Sequence, residues 1–281
     1  MQEPKTFQVD KGSVWKTVKE KVKVTYKDGY ELLRWNVGNK DGKVLTDEYV
    51  FTENTTVFAV SKLEGDYTIT YHFDDGINDP SNPASYNVET KTITLNPADR
   101  TGYTFKGWFD NEACTGDAVT EIKKGSTGDK VFWAKWEAIP YTITYNLNGG
   151  TNDSANPVSY NIETATIILK EASKENYTFA GWYDNAGFTG EKVSKIEKGS
   201  TGNKDFWAKW EINTYPVIFS VDGENGALKA KVKESGSEIT SGAQVEHGKT
   251  VMFTAEPADG YAVEQWMLNG NPVSAVGRNV T

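Results

Sequence analysis

Tyr67-Thr68-Ile69-Thr70-Tyr71 returns unchanged as Tyr141-Thr142-Ile143-Thr144-Tyr145, 74 residues later. In the second copy a period of two places Tyr141, Ile143, Tyr145 and Leu147 on one face, as a half-buried strand requires. The likeness runs on without a gap through 67–137 and 141–211, with about 40 of 71 positions identical. Tyr103-Thr104-Phe105 and Gly107-Trp108 recur as Tyr177-Thr178-Phe179 and Gly181-Trp182. Phe132-Trp133-Ala134-Lys135-Trp136-Glu137 recurs as Phe206-Trp207-Ala208-Lys209-Trp210-Glu211. Such similarity means one fold built twice.

Degenerate copies flank the pair. Their anchor is a Tyr followed five residues later by a Trp: Tyr30/Trp35, Tyr103/Trp108, Tyr177/Trp182 and Tyr261/Trp266. Recurrence in all four copies predicts a core role for these aromatics, since large rings supply most of the burial available to a small domain. The chain therefore divides into four modules, 1–63, 67–137, 141–211 and 215–281. The last is expected to lack a closing strand and to stop in mid-module at Val276–Thr281. The links Leu63–Asp66, Ala138–Pro140 and Ile212–Thr214 are short and carry no flexible Gly/Ser run. An extended string of monomeric modules is the expected arrangement.

Within 141–211, strands are expected at Tyr141–Leu147, Thr166–Leu169, Tyr177–Tyr183 and Phe206–Trp210. Asn148-Gly149-Gly150 ends the first, because these residues tolerate positive φ. Glu171–Glu175 reads as a helical turn. In the first module, Ser13 is placed to cap a short helix through Val14, Val18 and Val22. The fourth shows strands at Val217–Val221, Ala227–Val232 and Val251–Ala255. The class is α+β and mostly β.

The run from Tyr141 through Gly149-Gly150, Tyr177…Gly181-Trp182-Tyr183 and Phe206–Trp210 resembles the Listeria–Bacteroides repeat, the B-repeat family named after internalin B. The resemblance covers both middle modules. The last module is similar to the divergent relative of that repeat through Asn225-Gly226, Gly248–Val251 and Gly260-Tyr261…Trp266. The first matches more weakly, with Arg34 where Gly107 stands in the second. The resemblance implies a β-grasp, ubiquitin-like fold and export to a bacterial cell surface. There such repeats act as spacers and in some cases bind host or cell-surface proteins or glycans. It brings no catalytic residues and no cofactor.

Composition limits the remaining classes. The formal net charge is -9, and the chain holds nine Trp, fourteen Tyr and one Cys. An acidic balance without an aromatic-interleaved basic stripe argues against nucleic acid. Cys114 has no disulfide partner in the chain, and no apolar run is long enough to span a membrane. Met1–Lys5 contains no apolar signal core, so an export signal would lie outside these residues.

Catalytic and metal chemistry find little support. His72 and His247 lie in different modules, and Asn146 takes the place of His72 in the twin copy. Asp74–Asp79 lacks calcium-loop spacing and a distal Glu. Gly125–Gly128 and Gly199–Gly202 lack the phosphate-loop ending and read as turns. Cys114, which is Phe188 in the twin, reads as a buried or half-buried apolar residue. Trp133 and Trp207 fall on the opposite strand face from Trp136 and Trp210. They are the candidates for an exposed contact, or else they cover the second face of the sheet. Two functions follow: a spacer and interaction region of a surface adhesin, or a glycan-binding region. A hydrolase would need a nucleophile–base or paired-acid set, and none is recognisable.

Overall fold

The computed structural model describes residues 8–274 and 279–280. The expectations placed on Met1–Lys5, Val276–Arg278 and Thr281 lie outside the described residues. Contacts group the chain into two units, residues 1–139 and 140–281. The fold is mostly β, as several small sheets in tandem.

The first unit opens with α1 (Trp15–Val18) and a 3-10 turn at Lys19–Lys21. The cap is Val14 and not Ser13, and it makes no side-chain capping bond. Strands β1 (Tyr30–Val37) and β2 (Val57–Leu63) pair antiparallel. Their core is Trp15, Val18, Leu45 and Phe51, with Trp35 packed against it. Trp15, 1% exposed, takes the central place that the anchor spacing predicted for Trp35, which is half-buried. The two rings meet edge to face at 5.1 Å.

The first full repeat follows: β3 (Tyr67–His72), β4 (Ser85–Tyr86), β5 (Ile93–Thr94), β6 (Tyr103–Phe109), β7 (Glu121–Ile122) and β8 (Lys130–Ala138). Its main sheet runs β4-β3-β8-β6, with β3 and β8 parallel and the other pairs antiparallel. A small β5–β7 ladder lies apart from it. The core gathers Ile69, Tyr86, Leu95, Trp108, Ile122 and Phe132. A bulge between Phe105 and Gly107 turns the strand so that Trp108 reaches this core. Gly107 sits at φ 128, where an added Cβ would lie 2.7 Å from that of Ala118. The N-terminal copy keeps the bulge, between Leu32 and Arg34, and Arg34 holds it without positive φ.

In the second unit the same architecture recurs 74 residues on. Its strands are β9 (Tyr141–Asn146), β10 (Ser159–Tyr160), β11 (Ile167–Ile168), β12 (Tyr177–Tyr183), β13 (Lys195–Ile196) and β14 (Lys204–Ile212). The sheet order is β10-β9-β14-β12, around Ile143, Tyr160, Leu169, Trp182, Ile196 and Phe206. The expected helical turn at Glu171–Glu175 is absent. Ser173 exchanges two backbone hydrogen bonds with Thr151 instead, and this bridge holds the segment extended. Helix is therefore confined, among the described residues, to the N-terminal copy.

The remainder of this unit carries β15 (Thr214–Val217), β16 (Gly226–Val232), β17 (Glu238–Ile239), β18 (Ala243–Glu246), β19 (Val251–Pro257), β20 (Trp266–Leu268), β21 (Asn271–Val273) and β22 (Asn279–Val280). The strand expected at Val217–Val221 begins earlier, because residues 214–217 pair with β18. The anchor changes role here: Tyr261 is 56% exposed and Trp266 half-buried, so neither closes a core as Trp108 and Trp182 do.

Candidate functional site

The outer face of the first full repeat's sheet is built by alternation. In β8, Phe132 and Ala134 turn inward while Val131, Trp133 and Lys135 turn outward. Parallel pairing sets His72 beside Trp133, and the rings stack at 5.0 Å and 17°. Phe109 pairs with Trp133 from the other side and is buried, with the Lys135 ammonium 5.1 Å above its ring. In the second full repeat, Asn146 and Tyr183 flank Trp207 in register. The Lys209 ammonium lies 5.4 Å from the Tyr183 ring, and Phe188 meets that ring edge to face at 5.7 Å. Trp133 and Trp207 are both half-buried. Exposed Thr70 and Thr144 precede His72 and Asn146 by two positions on the neighbouring strands.

Other sequence candidates are dispersed. His72 stacks on Trp133, whereas His247 belongs to the last segment and meets Tyr215 at 6.1 Å. Asp74 and Asp75 face Arg100, at 3.4 and 3.8 Å. Arg100 in turn lies 4.1 Å over the Tyr103 ring. Lys174 does the same over Tyr177 at 4.3 Å. These cations lie over the two anchor tyrosines, which are half-buried rather than sealed. Gly125, Gly128, Gly199 and Gly202 all have positive φ, as turn residues do, and Gly128 and Gly202 accept the Tyr86 and Tyr160 hydroxyls at 2.6 Å. Cys114 and Phe188 share one turn geometry, at φ 47 and 53, and Cys114 is half-buried. Among the described residues no group of three or more His, Cys, Asp or Glu is arranged to hold a metal ion.

Two asparagines that the sequence reading passed over organise the repeats. The Asn82 amide donates to Asn78 and to the Asn96 carbonyl, and its oxygen accepts from the Asn96 N–H. The Trp108 indole donates to the same carbonyl at 2.8 Å. Asn156, Lys170 and Trp182 repeat this arrangement. The available signal was the recurrence of Asn78-Asp79 and Asn82-Pro83 as Asn152-Asp153 and Asn156-Pro157 inside loops that differ at most other positions.

Burial pushes the hydroxyls of Tyr71 and Tyr145 up to about 12. Each donates to a proline carbonyl, Pro83 at 3.2 Å and Pro157 at 3.1 Å. A phenol with a raised folded value stabilises the fold fully below its unfolded value and loses that contribution as pH rises through the folded one. We expect stability to be insensitive to these two groups up to about pH 10. Tyrosinate absorbance should then show a late-titrating class that Tyr71→Phe and Tyr145→Phe each reduce. Titration of every tyrosine together near the ordinary value would contradict the burial.

Residues 67–135 and 141–209 match the Listeria-Bacteroides repeat domain, and residues 227–281 match the divergent InlB B-repeat domain. A protein of Evansella cellulosilytica named as a Gly-rich membrane protein is 30% identical over 219 residues, 76% of this chain and 24% of its own length. Another from the same organism, named as a membrane protein, is 33% identical over 152 residues, 53% of this chain and 22% of its own length. The chain thus spans about a quarter of the length of the curated relatives it matches. No solved structure matches it. Among the described residues no helix is long and apolar enough to cross a membrane. With two repeats that share one sheet order, one core and one buried Asn–Trp arrangement, the chain belongs to the Listeria-Bacteroides repeat family and carries a divergent InlB B-repeat domain at its C-terminal end.

Proposed function

We propose that the chain is a non-catalytic spacer and interaction region of a bacterial cell-surface protein, made of four modules at 1–63, 67–137, 141–211 and 215–281. The observation that carries this reading is the pair of full repeats, each with a separate buried core of its own. Modules that close their own cores can be added in tandem without redesign, which suits a segment whose purpose is length and repeated contact. The parallel pairing of first and last strands in each repeat supports a β-grasp, ubiquitin-like assignment. An extracellular location fits relatives named as membrane proteins. The partner is a host or cell-surface protein or glycan, and the chain acts as a monomer without a cofactor.

Small-angle scattering tests the spacer role. A compact chain of this length has a radius of gyration near ~19 Å. The spacer reading expects a clearly larger value with an elongated distance distribution, and a value at the compact figure would sink it. The second reading, glycan binding, is favoured by the partly open Trp133 and Trp207 rings beside His72 and Asn146. Flat aromatic faces next to hydrogen-bonding groups suit sugar rings. A glycan array separates this reading from a pure spacer.

A further inference from the structure

Tyr30 is an anchor residue, yet it is only half-buried and its hydroxyl reaches out of its own copy. It donates to the Glu89 carboxylate of the first full repeat. The Lys124 ammonium stands 3.3 Å from the same carboxylate. These two partners, the Tyr30 hydroxyl foremost, hold the Glu89 carboxyl below the usual carboxylate range. The same hydrogen bond pushes the Tyr30 hydroxyl up.

An apolar fit accompanies this clasp. Val88 is 3% exposed, although it stands outside the core cluster of its own repeat. Gly29 is buried against it at φ 76, and an added Cβ would run into the Val88 methyls. Glycine alone allows both the backbone conformation and so close an approach. The turn that carries Val88 is itself held. The Val88 carbonyl accepts the Gly125 N–H at 3.1 Å, and the Asn87 side chain accepts the Glu89 N–H at 3.0 Å.

The link between the two copies is tied on both sides. The Glu64 N–H donates to the Gly29 carbonyl at 2.9 Å, and the Glu64 carboxylate accepts the Tyr67 hydroxyl at 3.2 Å. Asp66 accepts the Asn87 amide at 2.7 Å. Neighbouring domains move relative to one another by default unless their contact holds them. An exposed ion pair alone holds weakly. Here a buried apolar fit, a three-residue clasp and a tied link act on the same two turns, inside one contact unit.

We infer that the Gly29-Tyr30 turn and the turn at 87–90 form a fixed joint, which sets the direction of the N-terminal copy relative to the first full repeat. Val88 against Gly29 sets the distance of approach. Tyr30, Glu89 and Lys124 set the rotation about that contact. The joint stands on these contacts alone. Its use, a spacer that keeps direction as well as length, rests on the spacer reading.

Amide residual dipolar couplings of the full chain in a weakly aligning medium test the joint. Couplings from residues 8–63 and 67–139 should fit a single alignment tensor. Val88→Ala with Glu89→Ala should split them into two, whose magnitudes differ at least twofold. Tyr30→Phe with Glu89→Gln keeps the side-chain sizes and should also split them, and it decides the matter if the first variant loses amide dispersion. Glu112→Ala, in the turn after β6, should leave the single tensor. Two tensors in the parent chain, unchanged couplings in the Tyr30→Phe, Glu89→Gln chain, or equal splitting in Glu112→Ala would each overturn the joint. A compact radius of gyration together with a single tensor would sink the spacer and leave the joint standing.

Discussion

Replacing Trp108 with alanine is expected to cost about 3–5 kcal/mol and to unfold the first full repeat while the second keeps its own transition. The ring is 1% exposed. It meets Tyr71 at 5.1 Å and Phe105 at 5.4 Å, both edge to face, and its N–H is held by the Asn96 carbonyl. Truncation removes burial, two aromatic contacts and a buried hydrogen bond at once, and leaves a cavity in the core. A domain of this size has only about 4–10 kcal/mol to lose. Denaturant unfolding of the full chain should therefore split, with an early transition absent from the parent. Trp182→Ala should produce the mirror result in the second repeat. A loss under about 1 kcal/mol would remove Trp108 from the centre of the core.

Asn156→Ala is the second large expected effect, about 2–4 kcal/mol, from lost hydrogen bonds and a stranded partner. The side chain is 5% exposed. Its amide donates to Asn152 at 2.8 Å and to the Lys170 carbonyl at 2.9 Å, and its oxygen accepts the Lys170 N–H at 2.7 Å. Alanine leaves that N–H without its acceptor and loosens the carbonyl that also holds Trp182. Asn156→Asp keeps the acceptor but sets a carboxylate against two oxygens. It should be at least as damaging at pH 7 and recover as pH falls and the carboxyl protonates. Thermal melts of both variants across pH 4–8 check this. An Asp variant as stable as the parent at pH 7 would show that the amide donors are not needed.

What the sequence revealed follows from which forces leave periodic traces. The strand Tyr141–Asn146 was legible because alternation along six residues is a sheet's own signature. Tyr177–Tyr183, whose alternation a bulge between Phe179 and Gly181 breaks, was legible because its aromatics recur in both copies. Ser85–Tyr86 and Glu121–Ile122 are two-residue strands, too short for any period, and tertiary pairing alone defines them. Asn82 and Asn156 escaped notice because a polar residue in a polar loop looks solvated until its partners are seen. Trp15 displaced Trp35 from the first core through a helix that the repeat pattern does not contain. The candidate site was partly legible. The outward facing of Trp133 and Trp207 follows from strand parity, but the placing of His72 and Asn146 beside them depends on a parallel pairing of residues 61 apart, His72 with Trp133 and Asn146 with Trp207.

The central claim is that each repeat is a self-sufficient unit whose core needs nothing from outside its own residues. Thermal unfolding of residues 67–139 as an isolated polypeptide, followed by circular dichroism and a proton–nitrogen correlation spectrum, tests it most directly. The account predicts dispersed amide signals, a far-downfield Trp108 indole signal and one cooperative transition. A collapsed, coil-like spectrum without a transition would contradict it.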